Sequence, residues 1–505
     1  MPSPVSFAML FNTLGFIFVF LPVTLAGFFL LGRVHQTLAR VWLASASLAF
    51  YGWWNPTYVV LLAGSIGVNY VMAASITRAR AAGRQARARA LLTLAVAANL
   101  VLLGWFKYAA FFVANLNAVA GAHWVIPRVV LPLGISFFTF TQIAYLVDLS
   151  RDEPVRYPFV DYVLFVTYFP HLIAGPILHH REMMPQFRNE GTFRFRADRA
   201  SVGLTVFAIG LFKKVILADG VSRFVAPVFD TQAVQHLTLP DAWGGALAYT
   251  LQLYFDFSAY CDMAIGASTM LGMSIPLNFF SPYQATSIIE FWRRWHMTLS
   301  RFLRDYLYFP LGGNRHGTAR RYINLMLTMV IGGLWHGAAW TFVAWGALHG
   351  AYLCVNHAWR ALRTAVSGAT TPSAGGRVIA QTLTLLAVVA GWVVFRAPDF
   401  ASARAVLMSM AGLRGAATGS AVGFSWPAVY GWIVALMAIA LVAPNTQQIM
   451  AGRRPALADE AYSGQAASAW LRWSPNAAAA LLVAALFVIA VLNLNQRSPF
   501  LYFQF

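Results

Sequence analysis

Two histidines stand in sequence surroundings where an imidazole could carry out acid–base chemistry. The first, His336, lies inside a long apolar stretch, in the run Gly-Gly-Leu-Trp-His-Gly. An ionisable side chain at membrane depth is costly, and it commonly faces a cavity or a substrate path. Neutral imidazole has the basicity to take a proton from a hydroxyl group near pH 7. We therefore predict that His336 is catalytic; the alternative is a core histidine bonded to a backbone carbonyl.

The small and aromatic neighbours of His336 suggest how a substrate would reach it. Small residues remove side-chain bulk on both sides of the imidazole, at Gly332, Gly333, Gly337 and Ala338. A thin substrate could then approach the ring. Trp335 and Trp340 are predicted to form walls of a tunnel.

The second histidine, His296, ends a Glu-Phe-Trp-Arg-Arg-Trp-His segment. If this segment is one helix, Trp292, Trp295 and His296 share a face. Arg293 and Arg294 could then bind anionic phosphates, because guanidinium groups match phosphate geometry. The alternative is an interfacial helix anchored by tryptophan and arginine at the lipid headgroups.

Other ionisable residues in apolar sequence have a structural interpretation. Asp256 and Asp262 are six residues apart, so on a helix they point to different faces and do not form an acid/base pair. Each is expected to pair with an arginine or the backbone inside the bundle. The lysines at 107, 213 and 214 are expected to snorkel or to pair. His171, in a segment interrupted by proline and glycine, is predicted to be structural.

Several common catalytic motifs are missing from the sequence. No lysine follows a glycine, so there is no P-loop, and neither a His-Glu-x-x-His zinc motif nor a Gly-x-Ser-x-Gly elbow occurs. The two cysteines, Cys261 and Cys354, both lie in apolar sequence and do not suggest a disulfide scaffold or a thiolate metal site. We expect no metal and no bound cofactor.

The composition places these residues in a membrane protein. Hydrophobic residues make up 59% of the 505 residues and charged residues 10%, against about 25% charged in soluble domains. The mean hydropathy is +0.61. The net charge of +19 comes from arginines clustered between apolar segments, which is the positive-inside pattern of membrane proteins. Topology explains this charge, so no nucleic-acid partner is expected.

A membrane-spanning helix needs about 20 mostly apolar residues. The clear candidates are 6–31, 57–75, 90–113, 129–148, 245–273, 377–395, 427–444 and 477–494, with a short one at 41–54 that turns at Asn55-Pro56. The interrupted candidates are 160–178, 202–222, 285–310 and 322–356. Non-helical backbone at membrane depth persists only inside protein or beside a watery cavity, so function is expected there. We predict one integral membrane domain over 1–505, with its motif-bearing core at about 90–395 and C-terminal transmembrane helices at about 427–494.

The arginine-rich stretches predict the orientation of the chain. If 78–89, 181–199, 293–321, 358–377 and 453–472 are all cytoplasmic, both termini lie outside. Segments 160–178 and 285–310 must then be re-entrant or lie along the cytoplasmic face, and 322–356 must enter the membrane and return.

At these residues the sequence resembles the membrane-bound O-acyltransferase superfamily, specifically its alginate O-acetyltransferase branch. The resemblance runs from Phe7 to about Phe395, with a further fragment at the C-terminus. Its motifs are Gly134-Ile-Ser-Phe137, Phe169-Pro-His-Leu-Ile-Ala-Gly-Pro176, Leu253-Tyr-Phe-Asp-Phe-Ser258, Asp262-Met-Ala-Ile-Gly266, Glu290-Phe-Trp-Arg-Arg-Trp-His296, Leu303-Arg-Asp-Tyr-Leu-Tyr308, Leu311-Gly-Gly-Asn-Arg315 and Gly332-Gly-Leu-Trp-His-Gly337. Each motif alone is weak, but together they are very specific.

The resemblance implies an all-α polytopic membrane fold, with about 9–12 transmembrane helices plus re-entrant or interfacial helices around a central tunnel. It implies that His336 is the catalytic histidine and that His296 occupies the second motif position. The residues expected to bind the donor or to line the tunnel are Trp292, Arg293, Arg294, Trp295, Asn314, Trp335, Trp340 and Asp256.

The resemblance also implies the reaction and its setting. Acetyl-CoA is expected to donate from the cytoplasmic side, and the acetyl group passes to an extracytoplasmic polysaccharide, directly or through a periplasmic acetyltransferase partner. Polysaccharide assembly proteins are further expected partners, and the location is the bacterial inner membrane. Ala259, Cys261, Pro310 and His316 depart from the alginate enzymes, so alginate, cellulose, peptidoglycan or another exopolysaccharide would fit.

A transporter or flippase without covalent chemistry is the alternative from another class. Transporters favour inverted repeats with paired broken helices, and the sequence contains no detectable repeat. This difference favours an enzyme. A relative that has lost activity is a further alternative, and the intact His336 and His296 argue against it.

Overall fold

The computed structural model describes residues 9–127, 129–151, 157–229, 234–367, 373–414, 419–494 and 501. The described residues form helices, turns and loops, with one isolated parallel bridge between Pro276 and Leu457. The predicted all-α fold is therefore confirmed.

Helices α1 to α11 cover the first half of the described chain. They are α1 Phe16–Val34, α2 Gln36–Gly52, α3 Pro56–Ala81, α4 Gln85–Ala120, α5 Ile135–Arg151, α6 Phe159–Thr167, α7 Phe169–Leu172, α8 His180–Met183, α9 Ala197–Ser222, α10 Ala226–Phe229 and α11 Leu239–Met270. Helix α1 begins with a π-turn, and α4 and α9 contain π-turns at Gly104–Tyr108 and Lys213–Ala218.

Helices α12 to α21 complete the described fold. They are α12 Ile288–Arg294, α13 Met297–Leu303, α14 Gly317–His336, α15 Trp340–Ser367, α16 Ala374–Arg396, α17 Phe400–Met410, α18 Trp426–Val442, α19 Thr446–Ile449, α20 Glu460–Ser463 and α21 Ala477–Leu492. A π-turn, Arg304–Tyr308, follows α13. Short 3₁₀ turns lie at Gln186–Arg188, Glu190–Phe193, Val234–His236, Pro282–Gln284 and Ala469–Leu471.

Helix starts follow local capping chemistry. The Asn55 side chain accepts a hydrogen bond from the backbone N–H of Thr57, and Pro56 occupies the first position of α3. Thr238 caps α11 in the same way by accepting from the backbone N–H of Asp241. Side-chain caps satisfy N–H groups that have no partner within the helix, and proline suits the first turn because it lacks an N–H. The predicted turn at Asn55-Pro56 is confirmed.

Five of the described helices are long and apolar enough to cross a membrane: α1, α3, α4, α9 and α16, with 19 to 36 residues each. Three shorter apolar helices, α17, α18 and α21, have 10–17 residues. The chain is a multi-pass membrane protein, while the count of about 9–12 crossings stays a prediction.

The core of the fold is α11. Nearly every residue of this helix is buried, and it packs along α9. A side chain at Gly203 or Gly210 of α9 would collide with the α11 backbone, and one at Gly266 of α11 would collide with α9. Small residues at such interfaces let two membrane helices approach closely. The two helices thus form a rigid support for the segments around them.

Three of the four segments predicted to be interrupted contain a break between helices, whereas 202–222 lies within the continuous helix α9. Helices α6 and α7 are separated at Tyr168, and α7 packs against α11. Helices α12 and α13 are separated at Trp295 and His296. The 322–356 segment forms a hairpin of two long helices, α14 and α15. His336 is the last residue before the turn of that hairpin.

Candidate active site

His296 and His336 line the same buried cavity. Their ring centroids are 6.4 Å apart, and the two residues are 1% and 8% exposed. The remaining lining residues are Leu253, Phe257, Trp295, Trp345, Trp392 and Phe395. The cavity measures about 20 Å³, close to the ~10–15 Å³ that one water molecule needs. An acetyl group can therefore enter only if the surrounding rings move.

His336 is the last residue of α14, and neighbouring residues of α4 hold the end of that helix. Lys107 donates from Nζ to the carbonyl oxygens of Trp335 at 2.6 Å and His336 at 3.0 Å. The Tyr108 hydroxyl donates to the carbonyl of Leu334 at 2.8 Å. Terminal carbonyls of a helix lack partners within it, and a cation complements the negative end of the helix dipole. The backbone of His336 is thereby fixed from outside its own helix.

The glycines around His336 pack helices instead of opening a path for substrate. A side chain at Gly333 would collide with the backbone of Phe342 and Gly346, and one at Gly337 would collide with the ring of Phe342. These glycines let α14 and α15 approach each other closely. The expectation that these glycines admit a thin substrate is therefore wrong. The cavity beside His336 is instead bounded mainly by aromatic side chains.

His296 lies between two helices and is not part of one. Helix α12 ends at Arg294, and His296 has a φ of +44° as the N-cap of α13. The prediction of a single helical face carrying Trp292, Trp295 and His296 is wrong for this reason. A non-glycine residue in the left-handed region typically costs about 1–3 kcal/mol, and such strain clusters at functional sites. Here it aims the imidazole at the cavity.

Of the tryptophans that line the cavity, Trp345 packs its ring against His336. Its ring centroid lies 5.3 Å from that of His336, and it is 2% exposed. Trp340 is 54% exposed, and its Nε1 donates to Asn115 at 2.8 Å. Its predicted place in the tunnel wall is not borne out by this geometry. Trp335 is buried, with its ring centroid 5.0 Å from that of His336.

A chain of rings connects the cavity to the surface near Arg293. Trp292 lies 5.8 Å from Trp345 between ring centroids, and its Nε1 donates to Nδ1 of His349 at 3.3 Å. His349 is fully buried and lies 4.9 Å from Trp345. Side chains of α12 and α15 therefore form one aromatic column that reaches His336.

At the outer end of this column lies an open basic cavity of about 780 Å³. Four arginines line it, from α12 and α15: Arg293, Arg294, Arg360 and Arg363. Among the described residues of the lining, Glu290 is the one acidic residue, and it pairs with Arg294 at 2.7 Å. Burial raises the pKa of the Glu290 carboxyl, but hydrogen bonds from Thr286 and the charge of Arg294 outweigh this and hold it below its usual value. With one carboxylate against four guanidinium groups, the cavity suits an anionic ligand.

Residues 98–374 match the model of MBOAT, the membrane-bound O-acyltransferase family. The chain belongs to this family. It is an O-acyltransferase, and the transporter alternative is not retained. The chain is 44% identical to a peptidoglycan O-acetyltransferase of Helicobacter pylori, over 81% of each protein. It is 39% identical to a probable alginate O-acetylase, AlgI, of Pseudomonas putida, over 98% of this chain and all of that protein.

A more distant relative extends the comparison to another acyl group. A teichoic acid D-alanyltransferase of Streptococcus thermophilus is 26% identical over 45% of this chain and 57% of that protein.

The similarity to AlgI over 98% of this chain confirms the predicted resemblance to the alginate branch.

Two residues expected to bind the donor or to line the tunnel lie away from the His336 cavity. Asp256 pairs with Lys214 at 2.6 Å and accepts a hydrogen bond from the backbone N–H of Leu501 at 3.0 Å. Asn314 is exposed in the turn before α14, at the opposite end from His336. A helix of 20 residues is about 30 Å long. The structure therefore brings neither residue to the cavity.

The predictions of structural roles hold for the other ionisable groups. Nε2 of His171 lies 3.0 Å from the carbonyl of Phe165, and the residue is fully buried. Asp262 pairs with Lys213 at 2.8 Å. Among the residues that the structure describes, no cluster of three or more histidine, cysteine, aspartate or glutamate side chains could hold a metal ion.

The sequence analysis missed Trp345, Trp392 and Asn278. The two tryptophans lie on α15 and α16 within apolar sequence, where nothing in their spacing separates them from ordinary core residues. Asn278 lies in the loop after α11, outside every motif considered. Only their three-dimensional contacts reveal their proximity to the two histidines.

Proposed function

We propose that the chain moves acetyl groups from acetyl-CoA on the cytoplasmic side to an extracytoplasmic polysaccharide, through the cavity between His296 and His336. The observation that carries this proposal is the aromatic column between the two cavities. The column begins at Trp292, next to Arg293 of the arginine-lined cavity, and reaches His336 through Trp345.

In the proposed reaction, His336 is the general base. A hydroxyl oxygen attacks the carbonyl carbon of the acetyl thioester while its proton passes to the imidazole of His336. The carbon–sulfur bond then breaks, and the departing thiolate takes up the proton. A base of this kind typically contributes about 10²–10⁴-fold to the rate. His296 faces the same space and positions the reacting groups.

The proposed donor site is inferred from the positive charge of the arginine-lined cavity and from the aromatic column between that cavity and His336. The phosphates of acetyl-CoA would bind Arg293, Arg294 and Arg360, because arginine binds phosphate with two parallel hydrogen bonds. The thioester arm would extend along Trp292 towards Trp345. A path of apolar rings suits a thin chain that carries little charge.

The acceptor and partners follow from the relatives. The two relatives named as O-acetylating enzymes act on peptidoglycan and on alginate, and both are bacterial. A polysaccharide acceptor outside the bacterial inner membrane fits both. Transfer proceeds directly to this glycan or through a periplasmic acetyltransferase partner, beside polysaccharide assembly proteins. The higher identity to the peptidoglycan enzyme makes peptidoglycan as good a candidate as alginate.

A matched pair of histidine variants tests the proposal. His336→Gln keeps hydrogen-bonding groups of similar size but removes the base, so the acetyl content of the glycan should fall to background. His171→Gln makes the same chemical change at a buried structural histidine, and it should preserve acetylation. Both are compared at equal amounts of membrane-inserted protein. Wild-type acetylation in the His336→Gln strain would contradict the proposal.

A further inference from the structure

The side chain of Asn278 contacts His296 and determines which of its ring nitrogens carries the hydrogen. Oδ1 of Asn278 lies 3.2 Å from Nδ1 of His296. The same oxygen accepts hydrogen bonds from the backbone N–H of Thr298 at 3.2 Å and its hydroxyl at 3.0 Å. All three residues are buried. Asn278 thus caps the first turn of α13 from outside the helix.

The backbone contact settles which atom of the Asn278 amide faces His296. Amide oxygen and nitrogen are otherwise hard to distinguish. A backbone N–H can only donate, so the atom that faces Thr298 must be the oxygen. The amide nitrogen then donates to Sγ of Cys261, at 3.3 Å. Because an amide oxygen only accepts, Nδ1 of His296 must carry a hydrogen.

The other ring nitrogen of His296 follows from this assignment. In a neutral imidazole, one nitrogen carries the hydrogen and the other carries the lone pair. Nε2 of His296 is therefore the lone-pair nitrogen. It is buried and has no hydrogen-bond partner among the described residues. His296 lines the same cavity as the proposed base, His336.

We propose that Asn278 is a positioning residue for acyl transfer, which holds His296 as the Nδ1–H tautomer so that Nε2 stabilises the cation formed on His336. The inference rests on the proposed function, in which His336 accepts the hydroxyl proton. The centroid separation of 6.4 Å is too long for a direct ring-to-ring hydrogen bond. One water fits the cavity of about 20 Å³ and would relay the contact. A carboxylate supports a catalytic histidine in the same manner in hydrolases.

Substitutions at Asn278 test this role through kinetics. Asn278→Leu removes the acceptor, and we expect kcat for transfer from radiolabelled acetyl-CoA, in membranes that contain the glycan, to fall about 10-fold or more. The KM for acetyl-CoA should not change. Asn278→Asp retains an oxygen acceptor and should preserve most of the rate. Asn99→Leu removes a buried asparagine that bonds Asn69 in another part of the bundle, and should leave kcat unchanged.

A double variant separates positioning from a general structural effect. If Asn278 acts through His296, adding Asn278→Leu to His296→Ala should lower kcat no further. A multiplicative loss, or full activity of the single Asn278→Leu variant, overturns the inference. If His336→Ala is also fully active, the proposed function fails as well. If only the Asn278 results disagree, the proposed function stands.

A measurement on the unaltered chain covers the case in which Asn278→Leu does not fold. Nitrogen NMR of histidine-labelled protein in lipid distinguishes the two neutral tautomers, and the His296→Ala variant identifies the signal. We expect a protonated Nδ1 and an unprotonated Nε2. A protonated Nε2 with a bare Nδ1 would overturn the inference.

Discussion

The ammonium group of Lys107 lies 3.0 Å from the carbonyl oxygen of His336 and 2.6 Å from that of Trp335. Lys107, from the π-turn of α4, therefore donates hydrogen bonds to the last carbonyl groups of α14, the helix that ends at the proposed base. π-Turns inside helices are frequent at functional sites. This contact ties the position of His336 to α4, more than 200 residues earlier in the chain.

Loss of the Lys107 ammonium should weaken both stability and activity. Hydrogen bonds from a charged group contribute about 1.5–3 kcal/mol, so Lys107→Met should lower the thermal midpoint in detergent and reduce acetylation. Tyr108→Phe removes a neutral hydrogen bond to Leu334 and should cost only about 0.5–1.5 kcal/mol. Equal effects of the two variants would contradict the special role of the cation at His336.

The arginine-lined cavity should control donor affinity. Arg293→Gln combined with Arg360→Gln should raise the KM for acetyl-CoA about 10- to 100-fold, because each loses a charge-assisted contact to phosphate. The control is Arg196→Gln, an exposed arginine paired with Asp198, which should leave this KM unchanged. An unaltered KM in the double variant would contradict this role and favour the alternative, in which the segment that ends at His296 is an interfacial anchor at the lipid headgroups.

Trp345 should restrict the size of the acyl group. Trp345→Phe enlarges a cavity of about 20 Å³ beside His336, so transfer of propionyl groups should rise relative to acetyl groups. Trp340→Phe makes the same change on an exposed ring and should leave the ratio as it is. The measurement is competition between acetyl-CoA and propionyl-CoA. A ratio that shifts only in the Trp340 variant would contradict the assignment of the cavity.

The ion cluster at Lys214 should matter for stability and not for donor binding. Lys214 lies 2.7 Å from Asp219 and 2.6 Å from Asp256, and all three side chains are at most 3% exposed. Lys214→Met leaves two buried carboxylates without their shared cation, and breaking such a pair costs about 3–5 kcal/mol. Asp256→Asn leaves Lys214 paired with Asp219 and should cost less.

Thermal unfolding in detergent and the KM for acetyl-CoA check this pair of variants. Asp256 was expected in the tunnel, and a tunnel residue would alter the KM when it is replaced. The ion-pair role instead predicts a lower thermal midpoint with an unchanged KM in the Asp256→Asn variant. A raised KM at an unchanged midpoint would restore the tunnel role.

The positive-inside pattern predicts opposite locations for the two ends of α4. Arg84, before the helix, should be cytoplasmic, and His123, after it, should lie outside the membrane. Both residues are exposed, and a helix of 36 residues spans about 54 Å, more than the thickness of the hydrocarbon core. Single cysteines at the two positions, with Cys354 replaced by serine, can be treated with an impermeant maleimide on intact cells. Labelling at 84 and not at 123 would invert the predicted topology.

The sequence by itself determined the membrane class, the helical fold and the turn at Asn55-Pro56, and it singled out His336 as the candidate base. Hydropathy and capping depend on residues close in sequence, so they can be read without the fold. A histidine inside an apolar stretch likewise stands out wherever its partners lie. The structural roles of His171 and Asp262 followed from the same reasoning.

Only the tertiary structure decided which partners these residues have. It placed Trp345 and not Trp340 against His336, and it brought Asn278, from the loop after α11, to His296. It also assigned Asp256 to an ion pair. Helical periodicity identifies the residues that share a face, but the element that covers this face depends on packing between segments far apart in the chain.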